Sequence, residues 1–258
     1  MPPTAVKTPE SPSGKTAGGL FAPVADQIAG FNARHGHPYA RLRAVLDAEV
    51  RAEHAVLDIG CGRGAPMLAA FADRAAACYG VDLVDFRAED DRMTLIRTDV
   101  CDMSAIPDGS IDVAYSRSVM EHLADPERAL NEIARVLKPG GVYIFLTPNK
   151  WDYASIVSRL IPDSWHPKLV RWVSGRAEED TFPTHYLANT LGDLTRLAGG
   201  TGFTVRGMAY QGQYPAYLKF SRPLFWLGCR YEALLSAVPA LRRYQGWIFA
   251  DWRKDGAR

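Results

Sequence analysis

An excess of charge of either sign is missing from this chain, and so are long apolar runs, paired cysteines and repeats. Thirty basic residues stand against 29 acidic ones, a net charge of +1. No overall field therefore draws the protein to nucleic acid or to an anionic surface, and any such role must come from a local patch. Only four cysteines occur, Cys61, Cys78, Cys101 and Cys229, with no CxxC pair and no Cys/His spacing suited to zinc. Reduced thiols in a cytoplasmic protein without a bound metal are the simplest reading. Residues 1–20 are rich in Pro, Ser, Thr and Gly and lack an apolar h-region; they read as a flexible tail, not as a secretory signal. Between Tyr217 and Leu241 the chain is apolar, yet Lys219, Arg222, Arg230 and Glu232 interrupt it, well short of the ~20 residues that a bilayer span needs. No repeat of solenoid or propeller length is visible.

What is present is an alternation of β-rich and helical segments. With 258 residues, 47% of them hydrophobic, the chain after the tail suits one domain, residues 21–258. Helices are expected over 39–50, 65–76, 126–137 and 187–198, the third with Pro126 in its first turn and Asp125 as N-cap. Strands are expected over 54–59, 77–82, 93–98, 111–116, 142–147, 204–210 and 246–252. Apolar strands alternating with helices predict an α/β fold with a mostly parallel sheet covered on both faces. Two aromatic-rich stretches break the pattern, at about 150–186 and 212–244, and read as lid insertions near the carboxyl ends of strands.

The first strand runs into "VLDIGCGRG", Val56 to Gly64. A strand, a glycine turn and a helix let the backbone approach a ligand closely. The dinucleotide fingerprint is GxGxxG, with its last glycine at the helix–strand contact. Here the spacing is GxGxG, followed by Ala65 and Pro66, and Asp58 at the strand end would repel a pyrophosphate. An acid there suits an ammonium or a sulfonium better. Cys61 sits inside the loop, where its small volume counts for more than its sulfur.

Together with "GVDL", "RTDVCDMSAIPDGSIDVAYSRSVMEHL" and "LNEIARVLKPGGVYIFLTPN" in that order, the loop resembles the class I S-adenosylmethionine-dependent methyltransferases, closely over 39–149 and more loosely after 187. The resemblance implies a Rossmann-like seven-stranded sheet of order 3-2-1-4-5-7-6, with strand 7 antiparallel and helices on both faces. It implies S-adenosyl-L-methionine as cofactor, bound by Asp58, Gly60, Cys61, Gly62, Asp82, Leu83, Asp99, Val100 and Ser116. In that reading Asp82 takes both ribose hydroxyls, a task that suits a carboxylate. Asp99 and the Val100 backbone read the adenine, and Ser116 with Arg117 faces the methionyl end and the acceptor.

Methyl transfer from a sulfonium is an in-line displacement, and a base is needed only where the nucleophile must lose a proton. Candidate bases are His122, His166, His185 and Glu121, with His122 and His185 as the catalytic pair expected. "DTFPTHYLANT", Asp180 to Thr190, reads either as the acceptor-facing edge or as a loop packed on its own aromatics. The expected partner is a small-molecule acceptor with an oxygen, nitrogen or carbon nucleophile, including sugar- or lipid-linked compounds. An RNA or protein methyltransferase, a NAD-type dehydrogenase and a non-catalytic cofactor-binding protein are the alternatives. Leu224 to Leu241 is an amphipathic helix candidate that reads first as a cap on the sheet, while Phe225 and Trp226 beside Lys219, Arg222, Arg230, Arg242 and Arg243 in segment 217–243 leave peripheral membrane contact open.

Overall fold

Strands that are apolar on both faces need helices above and below them, and the chain supplies both layers. The structure is a computed structural model that describes residues 24–87, 90–160 and 182–256. Its strands are β1 (Ala55–Ile59), β2 (Ala77–Asp82), β3 (Met93–Arg97), β4 (Ile111–Arg117), β5 (Leu137–Pro148), β6 (Phe203–Gln211) and β7 (Trp247–Lys254). They form one seven-stranded sheet in the order β3-β2-β1-β4-β5-β7-β6. β1 to β5 pair in parallel, and β7 runs antiparallel between β5 and β6. This is the Rossmann-like order the resemblance implies.

Side chains alternate across the sheet and divide the core in two. Leu57, Ile59, Tyr143, Phe145 and Trp252 face α4 (Pro126–Val136) and α6 (Leu191–Gly200). Val56, Tyr115, Ile144 and Phe249 face α2 (Pro38–Glu49), which contributes Leu42 and Leu46. α4 has the amphipathic spacing of a helix with one buried stripe, through Ala129, Leu130, Ile133 and Val136. Its Asp125 cap accepts the Arg128 N–H at 3.0 Å, worth about 1 kcal/mol.

Some elements differ from the sequence expectation. The helix expected over 65–76 closes after one turn as α3 (Pro66–Ala69), and the chain continues in turns through Phe71 N–H to Leu68 O and Arg74 N–H to Phe71 O. Ala65 is left-handed, with φ +41°, and Phe71 is buried against Tyr115 with ring centroids 6.1 Å apart. Burial of that ring overrides the alanine helix propensity. α6 starts at Leu191, not 187, because Tyr186 is left-handed and Thr190 caps the helix by accepting the Asp193 N–H. α1 (Ala25–His35) was not expected; its buried Phe31 holds it. The stretches read as insertions hold α5 (Tyr153–Leu160) and α7 (Arg222–Ala237). His166, Trp165 and Trp172, with the tail 1–20, lie outside the described residues. Among the described residues no helix is long and apolar enough to cross a membrane.

Candidate active site

The carboxyl ends of β1, β2 and β4 meet at the glycine loop. Gly60 and Gly62 are left-handed, with φ +74° and +72°, conformations that side chains rarely adopt. A Cβ on Gly60 would strike the Val119 side chain, whereas one on Gly62 would point into open space. The loop N–H groups are committed inward. Gly60 and Cys61 donate to Val81 O at 2.8 and 3.2 Å, and Gly62 donates to Asp82 Oδ2 at 2.8 Å. With α3 a single turn that starts at Pro66, there is no extended helix N-terminus behind the loop to cradle a phosphate. Cys61 is buried where Gly80 leaves it room. Burial, helped by Asp58 and Asp82, pushes its thiol up to about 12, so it stays protonated and inert.

Asp58 lies one strand from Tyr115 in register and points to the same face. It is only 3% exposed, and burial raises its carboxyl to about 7, against the opposing influence of the Tyr115 hydroxyl and the Arg117 guanidinium. Asp82 closes the other side: Oδ1 accepts the N–H groups of Leu83 at 2.7 Å and Val84 at 3.3 Å. Each oxygen keeps acceptor capacity toward solvent, and the Leu83 side chain beside it is 48% exposed. Asp99 is exposed and turns its Oδ1 to the Cys101 N–H at 2.8 Å, with Val100 between them. Three acids, a neutral thiol and an apolar side chain form a set that fits a cationic sulfonium nucleoside and not a pyrophosphate. Ser116 stands apart. It is fully buried on the opposite face, with its hydroxyl 2.7 Å from that of Tyr143, so only its backbone reaches the loop side.

After β4 the chain turns through left-handed Ser118 and Val119 into a short 3-10 turn, Met120–His122. There Glu121 is buried, and its Oε2 accepts the Thr147 hydroxyl at 3.2 Å. Thr147 in turn accepts Asn189 Nδ2 at 2.7 Å, and Asn189 also binds Pro148 O at 2.8 Å. His122 Nδ1 lies 2.8 Å from Pro183 O. A carbonyl only accepts, so Nδ1 carries the proton, and in the neutral ring Nε2 is the basic nitrogen. That nitrogen lies 3.8 Å from Glu121 Oε1. His185 joins through its backbone, its N–H donating to Glu121 O at 2.7 Å, while its side chain is exposed. The structure thus brings His122, His185 and Glu121 together.

Sequence reasoning missed the opposite wall. His37 caps α2 by accepting the Tyr39 N–H at 3.2 Å on Nδ1. Its ring lies 5.0 Å from Tyr39 and 5.7 Å from Tyr214, and Tyr39 lies 5.5 Å from Trp247. Arg117 stacks on Tyr39 at 4.5 Å. Burial first, then Lys219 and Arg117, lower the His37 pKa. The sequence signal was a histidine just before the proline that opens a helix; the long-range packing that joins α2 to Trp247 has no local signature.

Residues 57–145 match the methyltransferase domain family. The chain is 35% identical over 128 residues to a probable S-adenosylmethionine-dependent methyltransferase of Mycolicibacterium smegmatis, covering 47% of this chain and 46% of the relative. It is 32% identical over 160 residues to the ubiquinone/menaquinone biosynthesis C-methyltransferase UbiE of Bordetella parapertussis, covering 56% and 58%. The chain spans about half the length of the curated relatives it matches. A solved S-adenosylmethionine-dependent methyltransferase from Mesorhizobium loti shares the fold, with a TM-score of 0.52 at 20% identity over 85% of this chain and 99% of that one.

Proposed function

We propose that this chain, whose residues 57–145 match the methyltransferase domain family, is an S-adenosylmethionine-dependent methyltransferase acting on a small-molecule acceptor. The observation that carries the cofactor half is the inward use of the Gly60, Cys61 and Gly62 N–H groups beside two acids. A diphosphate would meet carboxylates there, with these three N–H groups already donated elsewhere. The acceptor half is supported by the aromatic wall of Tyr39, Tyr214 and Trp247, and by the quinone-pathway activity in the name of one relative.

In this reading Asp58 faces the cationic methionyl part, and Asp82 takes the ribose hydroxyls with its unused acceptor capacity. Leu83, Asp99 and the Val100 backbone border the adenine; Gly60, Cys61, Gly62 and the Ser116 backbone shape the floor. Bound S-adenosylmethionine supplies an activated methyl group on a sulfonium. The protein's part is alignment and exclusion of water. Where the acceptor must lose a proton, His122 Nε2 is the base, and the buried Glu121 carboxylate favours the imidazolium that results. His185 borders the same opening.

Calorimetry with S-adenosylhomocysteine tests the cofactor assignment. Removing a charged acceptor in Asp82→Ala should weaken binding roughly tenfold to a hundredfold, with Asp82→Asn in between. Equal binding by Asp82→Ala, or binding of NAD in place of S-adenosylhomocysteine, would refute it.

A further inference from the structure

The helix α7 carries an apolar stripe that is exposed along its length, with Tyr231 also edge-on to the Tyr153 ring of α5 at 6.0 Å. Leu224, Leu227, Tyr231, Leu234 and Val238 follow one another at helical spacing and are all exposed, Leu227 to 58%, with Trp226 beside them at 57% and Phe220 leading into the helix. Isolated exposed apolar residues are ordinary, but a contiguous stripe this long marks an interaction surface. The opposite face of α7 is anchored. Phe225 and Leu235 are buried, Phe225 lies 6.3 Å from the Tyr214 ring, and Gly228 leaves room for Pro215. The outward stripe is therefore held rigidly, close to the aromatic wall of the active site.

Charge identifies the partner. Lys219, Arg222, Arg230, Arg242 and Arg243 flank the stripe, and the acid of this stretch, Glu232, is 2% exposed. None of these cations is ion-paired with an acid among the described residues; they contact the Tyr214 and Tyr244 rings or the Ser236 carbonyl, or make no specific contact. Elsewhere on the surface Arg43, Arg74, Arg92, Arg97 and Arg135 are each paired with an acid. The α7 surface thus combines an exposed aromatic and aliphatic helix face with five cations that no acid among the described residues pairs.

We propose that α7 docks the enzyme in plane on an anionic lipid surface, with the Leu224–Val238 stripe at the acyl boundary and the flanking cations at the headgroups. Helices of this composition lie in the interface instead of spanning it, and they bind by apolar burial plus attraction to acidic lipid. The surface would sit next to the site mouth, where a membrane-resident acceptor can be reached without crossing water.

Sedimentation of the full chain with vesicles tests this without reference to catalysis. Vesicles of phosphatidylcholine with phosphatidylglycerol should retain the protein, and vesicles of phosphatidylcholine alone should retain far less. High salt should weaken the first. Leu227→Glu combined with Leu234→Glu should cut partition roughly tenfold or more, while S-adenosylhomocysteine affinity and unfolding temperature stay as they were. Arg222→Gln with Arg230→Gln should abolish the preference for anionic lipid. The proposal is overturned if the protein ignores anionic vesicles, if the glutamate variant binds them equally, or if the stripe proves to join two copies of the chain in a dimer that those glutamates dissociate.

Discussion

A carboxyl group that is buried next to another carboxylate is hard to ionise, and Asp58 sits at that limit, with its pKa raised to about 7. In the unfolded chain it ionises near ~3.9. Folding alone is therefore opposed more strongly as pH rises from that value through about 7, since the native state holds the proton longer. A cation placed against it reverses the preference, because it favours the ionised form. S-adenosylmethionine affinity should then increase between about pH 6 and pH 8, approaching a tenfold gain per unit below 7 and levelling off above it. Calorimetry across that range checks this. An Asp58→Asn protein should bind weakly with no such slope, and a flat wild-type profile would remove Asp58 from the cationic end of the cofactor. S-adenosylhomocysteine, which lacks the sulfonium charge, should show a shallower slope.

Another buried acid joins two elements. Glu232 on α7 is pushed up to about 8 by burial and by Asp152, which precedes α5 and is itself raised to about 6, burial outweighing the N–H groups of Ala154, Ser155 and Tyr153. Both are raised, so this pair stabilises the fold while protonated and works against it once ionised. Stability should fall as pH climbs from the ordinary carboxylate range through about 8. Glu232→Gln keeps the shape without the proton, so its melting temperature should exceed that of the wild type at about pH 8.5 and differ little at about pH 6. A constant difference at both pH values would mean the pair does not titrate as a unit. Nothing in the local sequence pointed to this electrostatic coupling. The sheet was legible because each strand's apolar run is a local signal, as was α4 with its Asp125 and Pro126 start. The one-turn α3, the unexpected α1 and the pairing of Asp152 with Glu232 are decided by which distant side chains are buried together. The same division holds at the site. Asp58, Gly60, Gly62 and Asp82 follow from spacing and resemblance, whereas the wall of His37, Tyr39, Tyr214 and Trp247 and the inward face of Ser116 follow from tertiary packing alone.

At the scale of the whole molecule, the glycine loop ties together strands from the centre of the sheet. Gly60 and Cys61 hang from Val81 of β2, Gly62 from Asp82, and Val119 after β4 presses on Gly60. A ligand seated there bridges segments that must separate in unfolding, so its binding free energy adds to the stability of the entire sheet and not to one loop. Only the folded chain assembles Asp58, Asp82 and Asp99 from different strand ends, so the unfolded state has no comparable affinity. At a concentration about 100 times its dissociation constant, S-adenosylhomocysteine should raise stability by about 2.7 kcal/mol. For a domain of this length that corresponds to roughly 5–10 °C in melting temperature. Differential scanning fluorimetry should show one transition moving as a whole, with NAD producing no shift at matched concentration. The Asp82→Ala chain should lose most of the S-adenosylhomocysteine shift while its ligand-free melting temperature changes far less. If NAD alone moved the transition, the inward-committed loop would have to open to receive a pyrophosphate, and the sulfonium reading of Asp58 and Asp82 would fall with it.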